Sequence, residues 1–218
     1  MNSSASTTRA VQLRKAPDRV AALLALAVLI ILMVLDTKIV GIGSDDNVQG
    51  DRFSPEQFGQ TQFPAIQSSV EERAVEALAL ADAIAYDRAA AGEKYGTPGG
   101  IGPVMPVTFT GVAGEEKIGI YMVAVEGLPR NVAIRLQTGP AINGTDLRDA
   151  TGNIEFGQFT NQIEYQNAGA AINNAMKQDV LANIDTDNLT GKTVVVTGVF
   201  KLINPKNWLV TPVRLRVE

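Results

Sequence analysis

The strongest pattern in the chain is an unbroken apolar run near its N-terminus. No polar side chain occurs in the sixteen residues from Val20 to Leu35, and Arg19 and Asp36 bracket the run. A helix over this run would span roughly 24 Å, somewhat less than the ~30 Å hydrocarbon core of a bilayer. Arg19 and Lys38 can extend to the two interfaces and lengthen the effective helix to about 20 residues. We therefore predict a transmembrane segment over residues 16–40.

The charges on either side of this segment predict its orientation. Residues 1–19 carry four basic side chains and one acidic one, whereas residues 36–102 carry five basic and eleven acidic. Because Lys and Arg are retained in the cytoplasm, we expect a cytoplasmic tail over residues 1–15 and a periplasmic C-terminal region, in a single-pass protein of the bacterial inner membrane. An uncleaved anchor fits best. A cleaved signal, with a poor cleavage site at residues 41–43, and a buried soluble helix remain as alternatives.

The region between the apolar run and residue 102 has helical periodicity. Ser54 followed by Pro55 is typical of an N-cap with proline at the first helical position. Beyond Pro64, apolar residues recur at intervals of three and four, as on one face of a helix. The predicted elements are a polar linker over 41–50, a helix from Pro55 to Phe63, a second helix from Pro64 to Ala91, and a loop over 92–106.

From residue 103 onward the pattern changes to the alternation typical of strands. The predicted strands are Val107–Val112, Lys117–Val125, Val132–Gln137, Thr193–Phe200 and Trp208–Val217, with a turn at 113–116, a helix over Asn161–Ile184 and a short strand at Asn153–Phe156. Three strands, a helix and two more strands is the order of an OB-fold barrel. Gly111 and Gly198 within strands fit the tight coiling of a small barrel. We predict an α+β protein with an OB-like five-stranded barrel over 103–218; an open α+β sheet is the alternative.

Composition excludes several kinds of chemistry. The chain has no cysteine and no histidine, so it lacks disulfides, thiolate metal ligands and the commonest general base. The formal net charge is −4, and no basic tract follows the N-terminal tail, so nucleic acid is not an expected partner. We predict no cofactor and no metal, and the sequence indicates no oligomeric state.

The polar stretch over residues 138–165 is the best candidate for a functional site. Its motifs are Gly139-Pro140, Gly144-Thr145, Leu147-Arg148-Asp149-Ala150 and Phe159 to Tyr165. They resemble the signature of an uncharacterised bacterial family of predicted periplasmic lipoproteins, often encoded beside sugar ABC transporters. The resemblance implies a periplasmic location and, as partners, an ABC permease or a solute-binding protein. Family members often carry a lipidated cysteine where this chain has Thr37, so a retained helix would provide the tether here.

Within this stretch we predict a set of residues that bind a ligand or partner: Thr145, Arg148, Asp149, Asn161, Gln162, Glu164 and Tyr165. Each also has a structural interpretation. Arg148 and Asp149 can form an ion pair that holds the connection to the barrel, and Asn161 with Glu164 can form a helix capping box.

Three functional hypotheses follow. The first is a non-enzymatic, membrane-anchored periplasmic accessory or interaction module, associated with a sugar ABC importer. The second is a sensing domain for a small sugar-like ligand. The third is a hydrolase that uses two of the carboxylates Asp146, Asp149 and Glu155, which must lie roughly 5–10 Å apart across a cleft.

Overall fold

The chain is represented by a computed structural model that describes residues 23–24, 26–30, 32–33 and 53–218. The chain divides into two units, residues 1–51 and residues 52–218. In the first unit the described residues are helical and exposed. The predicted tail 1–15, the linker 41–50 and much of the predicted segment 16–40 lie outside the described residues. In the part of the chain that is described, no helix has the length and apolarity needed to span a bilayer.

The region before the barrel is helical, with boundaries that differ from the predicted ones. Its elements are α1 (Pro55–Arg73), the two-residue strand β1 (Val75–Glu76), α2 (Ala77–Tyr86) and α3 (Arg88–Tyr95). The predicted break at Pro64 is wrong, because α1 continues through this proline. The apolar face of α1 explains why: Phe63, Ile66 and Val70 are all buried, and their packing offsets the hydrogen bond that proline cannot donate.

The predicted continuous helix to Ala91 is also wrong. Val75 pairs in parallel with Val107, so the chain between α1 and α2 is extended rather than helical. A second interruption occurs at Asp87, where the backbone is extended and the carboxylate accepts hydrogen bonds from the backbone N–H groups of Ala89 and Ala90. This carboxylate cap begins α3, which extends into the predicted loop as far as Tyr95.

The barrel has the predicted OB-like topology. Its strands are β2 (Val104–Glu116), β3 (Ile120–Ala124), β4 (Ala133–Gln137), β5 (Thr193–Lys201) and β6 (Asn207–Val217). They pair in the order β2–β3–β4–β6–β5, and β5 pairs again with β2, which closes the barrel. The β4–β6 pair is parallel and the others are antiparallel. The α+β class and the five-stranded barrel are therefore confirmed.

Two glycines permit the close approach of neighbouring strands. A Cβ atom at Gly198 would lie 2.5 Å from the carbonyl oxygen of Thr211, beside a β-bulge. A Cβ atom at Gly111 would lie 2.7 Å from the carbonyl oxygen of Ala124. Both contacts are too short for a side chain, which supports the interpretation of these glycines as sites of tight coiling.

The connection between β4 and β5 carries the helix of the OB topology. It contains the single turn α4 (Asp146–Asp149), a 3₁₀ turn (Phe156–Gln158), the helix α5 (Gln162–Met176) and a π-helical turn (Lys177–Leu181). The predicted strand at 153–156 is wrong, because this stretch is irregular and leads into the 3₁₀ turn. The predicted turn at 113–116 is wrong as well: β2 extends to Glu116, and the chain reverses at Ile118 and Gly119, both with positive φ.

The core lies inside the barrel and beneath the helices. Phe200 and Trp208 stack with ring centroids 4.6 Å apart. Helix α1 packs on α5, and the Gln67 side chain donates a hydrogen bond to the Val213 carbonyl of β6. Residues 52–218 are consequently one compact unit, which fixes the β4–α5 connection against the barrel wall.

Candidate functional site

A network of charged side chains surrounds Asp149 at the end of α4. Its Oδ1 atom accepts a hydrogen bond from Arg148 Nε at 2.8 Å, and its Oδ2 atom accepts one from Thr145 Oγ1 at 2.8 Å. Lys201 Nζ, at the end of β5, lies 3.2 Å from the same Oδ2 atom. Both carboxylate oxygens of Asp149 are therefore engaged by protein donors, and the network joins the β4–α5 connection to the barrel.

Arg148 also contacts the first turn of α5. Its guanidinium carbon lies 3.7 Å from the ring centroid of Tyr165, and its terminal nitrogen donates to the Tyr165 carbonyl at 3.3 Å. Arg148 is only 8% exposed. The Tyr165 ring in turn contacts Phe156 and Phe159, with centroids 5.7 and 5.4 Å apart. These cation–π and aromatic contacts hold α4 and α5 together.

The two aspartates of α4 differ in their electrostatics. Burial raises the pKa of Asp146, and the Lys201 ammonium, 3.5 Å away, offsets only part of that effect. Burial would also raise the pKa of Asp149, but the hydrogen bonds from Thr145 and Arg148, together with Lys201, outweigh it and lower the pKa. Asp149 is accordingly the more firmly ionised of the two carboxylates.

An open cleft of about 520 Å³ lies over this network. We call it the crossover cleft and define it by Ile101, Thr145, Arg148, Asp149, Glu155, Phe156, Tyr165 and Lys201. Two large apolar side chains on it are exposed, Ile101 at 79% and Phe156 at 49%. The cleft thus combines a floor of paired charges with exposed apolar groups.

Four of the seven predicted site residues meet in this cleft: Thr145, Arg148, Asp149 and Tyr165. The other three, Asn161, Gln162 and Glu164, do not line it. Asn161 is the N-cap of α5, and its Oδ1 atom accepts from the Glu164 backbone N–H at 3.0 Å. Glu164 accepts from the Thr160 backbone N–H at 2.9 Å, so the predicted capping box is confirmed with a shift of one residue. Gln162 is exposed and makes no side-chain hydrogen bond within residues 53–218.

Sequence reasoning missed three residues of the cleft: Ile101, Phe156 and Lys201. Lys201 directly follows the predicted strand that ends at Phe200. A charged residue at the end of a strand was therefore the sequence feature that could have identified it as a site residue. Its partners could not be found without the register of β5. Ile101 lies among glycines in the predicted loop. A single large apolar residue in that position was the only feature of the sequence that could have pointed to it.

Comparison with known proteins agrees with this architecture. Residues 25–216 match the family described as "Predicted periplasmic lipoprotein (DUF2291)". A crystal structure of an OB-fold protein from Thermotoga maritima is similar, with a TM-score of 0.63 and 18% sequence identity, covering 77% of this chain and 100% of that one. At this identity the likeness shows the fold alone. No curated protein matches the chain in sequence. Since the family match extends over most of the chain, the chain belongs to this family of predicted periplasmic lipoproteins of unknown function.

Proposed function

We propose that this protein is a non-enzymatic, membrane-tethered binding module of the periplasm, which docks on a protein partner through the crossover cleft. The observation that carries the proposal is the exposure of Ile101 and Phe156 beside the paired charges of Arg148, Asp149 and Lys201. Large apolar side chains in contact with water favour association. Burying a charge is costly unless the charge is paired and hydrogen-bonded. In the crossover cleft, Arg148 and Lys201 both form ion pairs with Asp149.

The same pairing argues against Asp149 as a general base. A general base must be free to accept a proton from a substrate. Both oxygens of Asp149 already accept hydrogen bonds. Burial alone would raise the pKa of Asp149, but these hydrogen bonds outweigh burial and lower the pKa. The chain contains no histidine or cysteine that could take this role. A role in binding therefore fits the site better than hydrolysis.

The tether in this proposal is the apolar run Val20–Leu35, retained as an uncleaved anchor. Family membership supports a periplasmic location with membrane association. The absence of cysteine leaves this chain without the residue to which lipid is attached. The test is the intact mass of protein extracted from membranes. We expect the mass of the uncleaved chain, and a mature protein that begins near Ser44 would overturn the anchor.

The proposed partner is a component of a sugar ABC importer, either the permease or the solute-binding protein. The support is the gene association of the family that the 138–165 motifs resemble. Affinity purification from detergent-solubilised membranes tests it, with Ile101→Asp as the variant and Ile118→Asp as the matched control. Ile118 is 83% exposed and does not line the crossover cleft.

We expect the wild type and Ile118→Asp to recover an importer subunit and Ile101→Asp to lose it. Recovery of neither subunit by the wild type would refute the importer association. Equal recovery by both variants would show that the crossover cleft is not the docking surface.

A sugar-like ligand in the same cleft is the second candidate. Its support is that the Tyr165 hydroxyl and the Glu155 carboxylate line the cleft without a side-chain hydrogen bond to any residue in 53–218. Thermal unfolding with a panel of sugars tests it, because a ligand at 100 times its Kd adds about 2.7 kcal/mol. A stabilising sugar should lose its effect with Tyr165→Phe. An unchanged melting temperature across the panel would exclude this candidate.

A further inference from the structure

The crossover cleft lies close to the point where the chain enters the compact unit 52–218. Phe53 is the first residue of that unit that the structure describes. It is half-buried, and its ring contacts those of Phe58 and Phe159, with centroids 5.4 and 5.2 Å apart. Phe159 in turn contacts Tyr165 at 5.4 Å, and Tyr165 lines the cleft. Two ring contacts therefore connect the start of the unit to the proposed docking surface.

These aromatic contacts hold the entry point in a defined place. Phe58 belongs to α1, whereas Phe159 lies in the connection that leads into α5. The rings of Phe58 and Phe159 also contact each other, with centroids 5.5 Å apart and an interplanar angle of 69°. Phe53 thus completes a cluster of three rings, and edge-to-face contacts of this kind favour one arrangement over others. The chain consequently enters the unit on the side that carries the crossover cleft.

The sequence limits the distance between this entry point and the proposed anchor. Seventeen residues, 36–52, separate the apolar run that ends at Leu35 from Phe53. A chain of this length spans at most about 60 Å when it is fully extended. With the apolar run retained in the bilayer, this length confines the crossover cleft to a layer of the periplasm next to the membrane.

The apolar area that the cleft offers to a partner is small. Ile101 and Phe156 are the large apolar side chains exposed there, and Arg148 and Lys201 are ion-paired with Asp149. Such an area supports only weak association, because binding must also offset the lost freedom of both partners. A short tether removes much of that cost for a partner held in the same membrane, since it raises the effective concentration to roughly the millimolar range. A freely diffusing protein gains no such advantage.

We propose that the crossover cleft binds an integral membrane protein, through the part of that protein's surface that projects into the periplasm next to the bilayer. This inference rests on the proposed function, since it takes the crossover cleft as the docking surface and Val20–Leu35 as a retained anchor. It selects a membrane-embedded partner over a soluble solute-binding protein. Ile101 and Phe156 pack against apolar groups of the partner, and the tether supplies the proximity that a small interface requires.

The first test identifies the partner by photocrosslinking in intact cells. A photoreactive amino acid replaces Ile101 in the full chain, and mass spectrometry identifies the crosslinked protein. We expect an integral membrane protein. A crosslink to a soluble periplasmic protein alone would overturn this inference and leave the proposed docking surface standing. If position 101 crosslinked to no protein, or to lipid alone, the docking surface itself would be refuted, and this inference with it.

The second test changes the distance from the bilayer without altering the cleft. A helical spacer of about forty residues, inserted directly after Leu35, continues the predicted transmembrane helix by about 60 Å. A Gly/Ser spacer of the same length is the matched control, because a flexible chain lets the unit return to the membrane surface. Equal melting temperatures of the two variants verify that the unit is folded in both. We expect crosslinking from position 101 to be at least about tenfold weaker with the helical spacer than with the Gly/Ser spacer. Equal crosslinking with the two spacers would overturn the proposal.

Discussion

Asp149 Oδ2 lies 3.2 Å from Lys201 Nζ, which joins the connection after β4 to the last residue of β5. The side chains of these two residues are only 16% and 15% exposed. An ion pair at this depth is sensitive to the loss of one partner, because the remaining charge stays in a poorly hydrated place. The pair explains how an irregular polar segment keeps a fixed position on the barrel.

The first prediction concerns the stability that Asp149 provides. Replacing Asp149 with Asn leaves Lys201 and Arg148 without their shared carboxylate, and we expect a loss of about 1–3 kcal/mol in the free energy of unfolding. Urea unfolding followed by the fluorescence of Trp208, the single and buried tryptophan, measures it. Asp187→Asn is the control, since Asp187 is exposed and has no side-chain partner in residues 53–218. Equal stability of the two variants would contradict the structural role of Asp149.

The second prediction is a pH dependence with opposite signs for the two aspartates. The folded pKa of Asp149 is lowered below 3.8, because its hydrogen bonds outweigh burial, so its stabilisation is complete above about pH 4 and is lost as the pH falls through the folded pKa. The folded pKa of Asp146 is raised above 3.8 by burial, so its ionisation costs stability at neutral pH, and that cost disappears on acidification toward 3.8.

Unfolding free energies measured from pH 7 downward separate the two effects. Relative to Asp149→Asn, the wild type should lose its advantage below about pH 4. Relative to Asp146→Asn, the wild type should gain stability as the pH falls toward 3.8. Parallel pH profiles for the wild type and both variants would contradict these electrostatic assignments.

The third prediction concerns the start of α5. Asn161 accepts the Glu164 N–H hydrogen bond at 3.0 Å, so Asn161→Ala should cost about 1 kcal/mol and Asn161→Asp should retain most of the stability. The neighbouring Gln162→Ala provides the control, because that side chain is exposed and makes no hydrogen bond within 53–218. If Gln162→Ala proved as harmful as Asn161→Ala, capping would not be the role of Asn161.

The fourth prediction concerns barrel closure at Gly198. A Cβ atom there would lie 2.5 Å from the Thr211 carbonyl oxygen, so Gly198→Ala should displace β6 and cost about 1–3 kcal/mol. Gly100→Ala is the matched control, because no atom lies within 4 Å of a Cβ at that position. Thermal unfolding of both variants is the measurement, and an unchanged midpoint for Gly198→Ala would contradict the close approach of β5 and β6.

Much of the fold could be predicted from the sequence because strand alternation is a local signal. Thr193–Phe200 and Trp208–Val217 differ from the observed β5 and β6 by only one residue at an end. The break between α1 and α2 could not be predicted, because Val75 satisfies the helical periodicity although it pairs with Val107 of β2. Pro64 led to the opposite error, because it predicted a break where the helix is continuous. The buried residues around Pro64 stabilise the helix.

The candidate site was predictable where its residues belong to the single polar stretch 138–165, as Tyr165 does. Thr145, Arg148 and Asp149 lie within one helical turn, and their grouping was visible in the sequence. Lys201 lies at the end of β5, 52 residues from Asp149, and the fold brings the two side chains to the same cleft.

The face containing Ile101 is the proposed docking surface for a protein partner in the periplasm. The most direct measurement is photocrosslinking in intact cells, with a photoreactive amino acid placed at Ile101 and, as the control, at the similarly exposed Ile118. We expect a crosslink to an importer permease or solute-binding protein from position 101 and none from position 118. Equal crosslinking from both positions, or none from position 101, would contradict it.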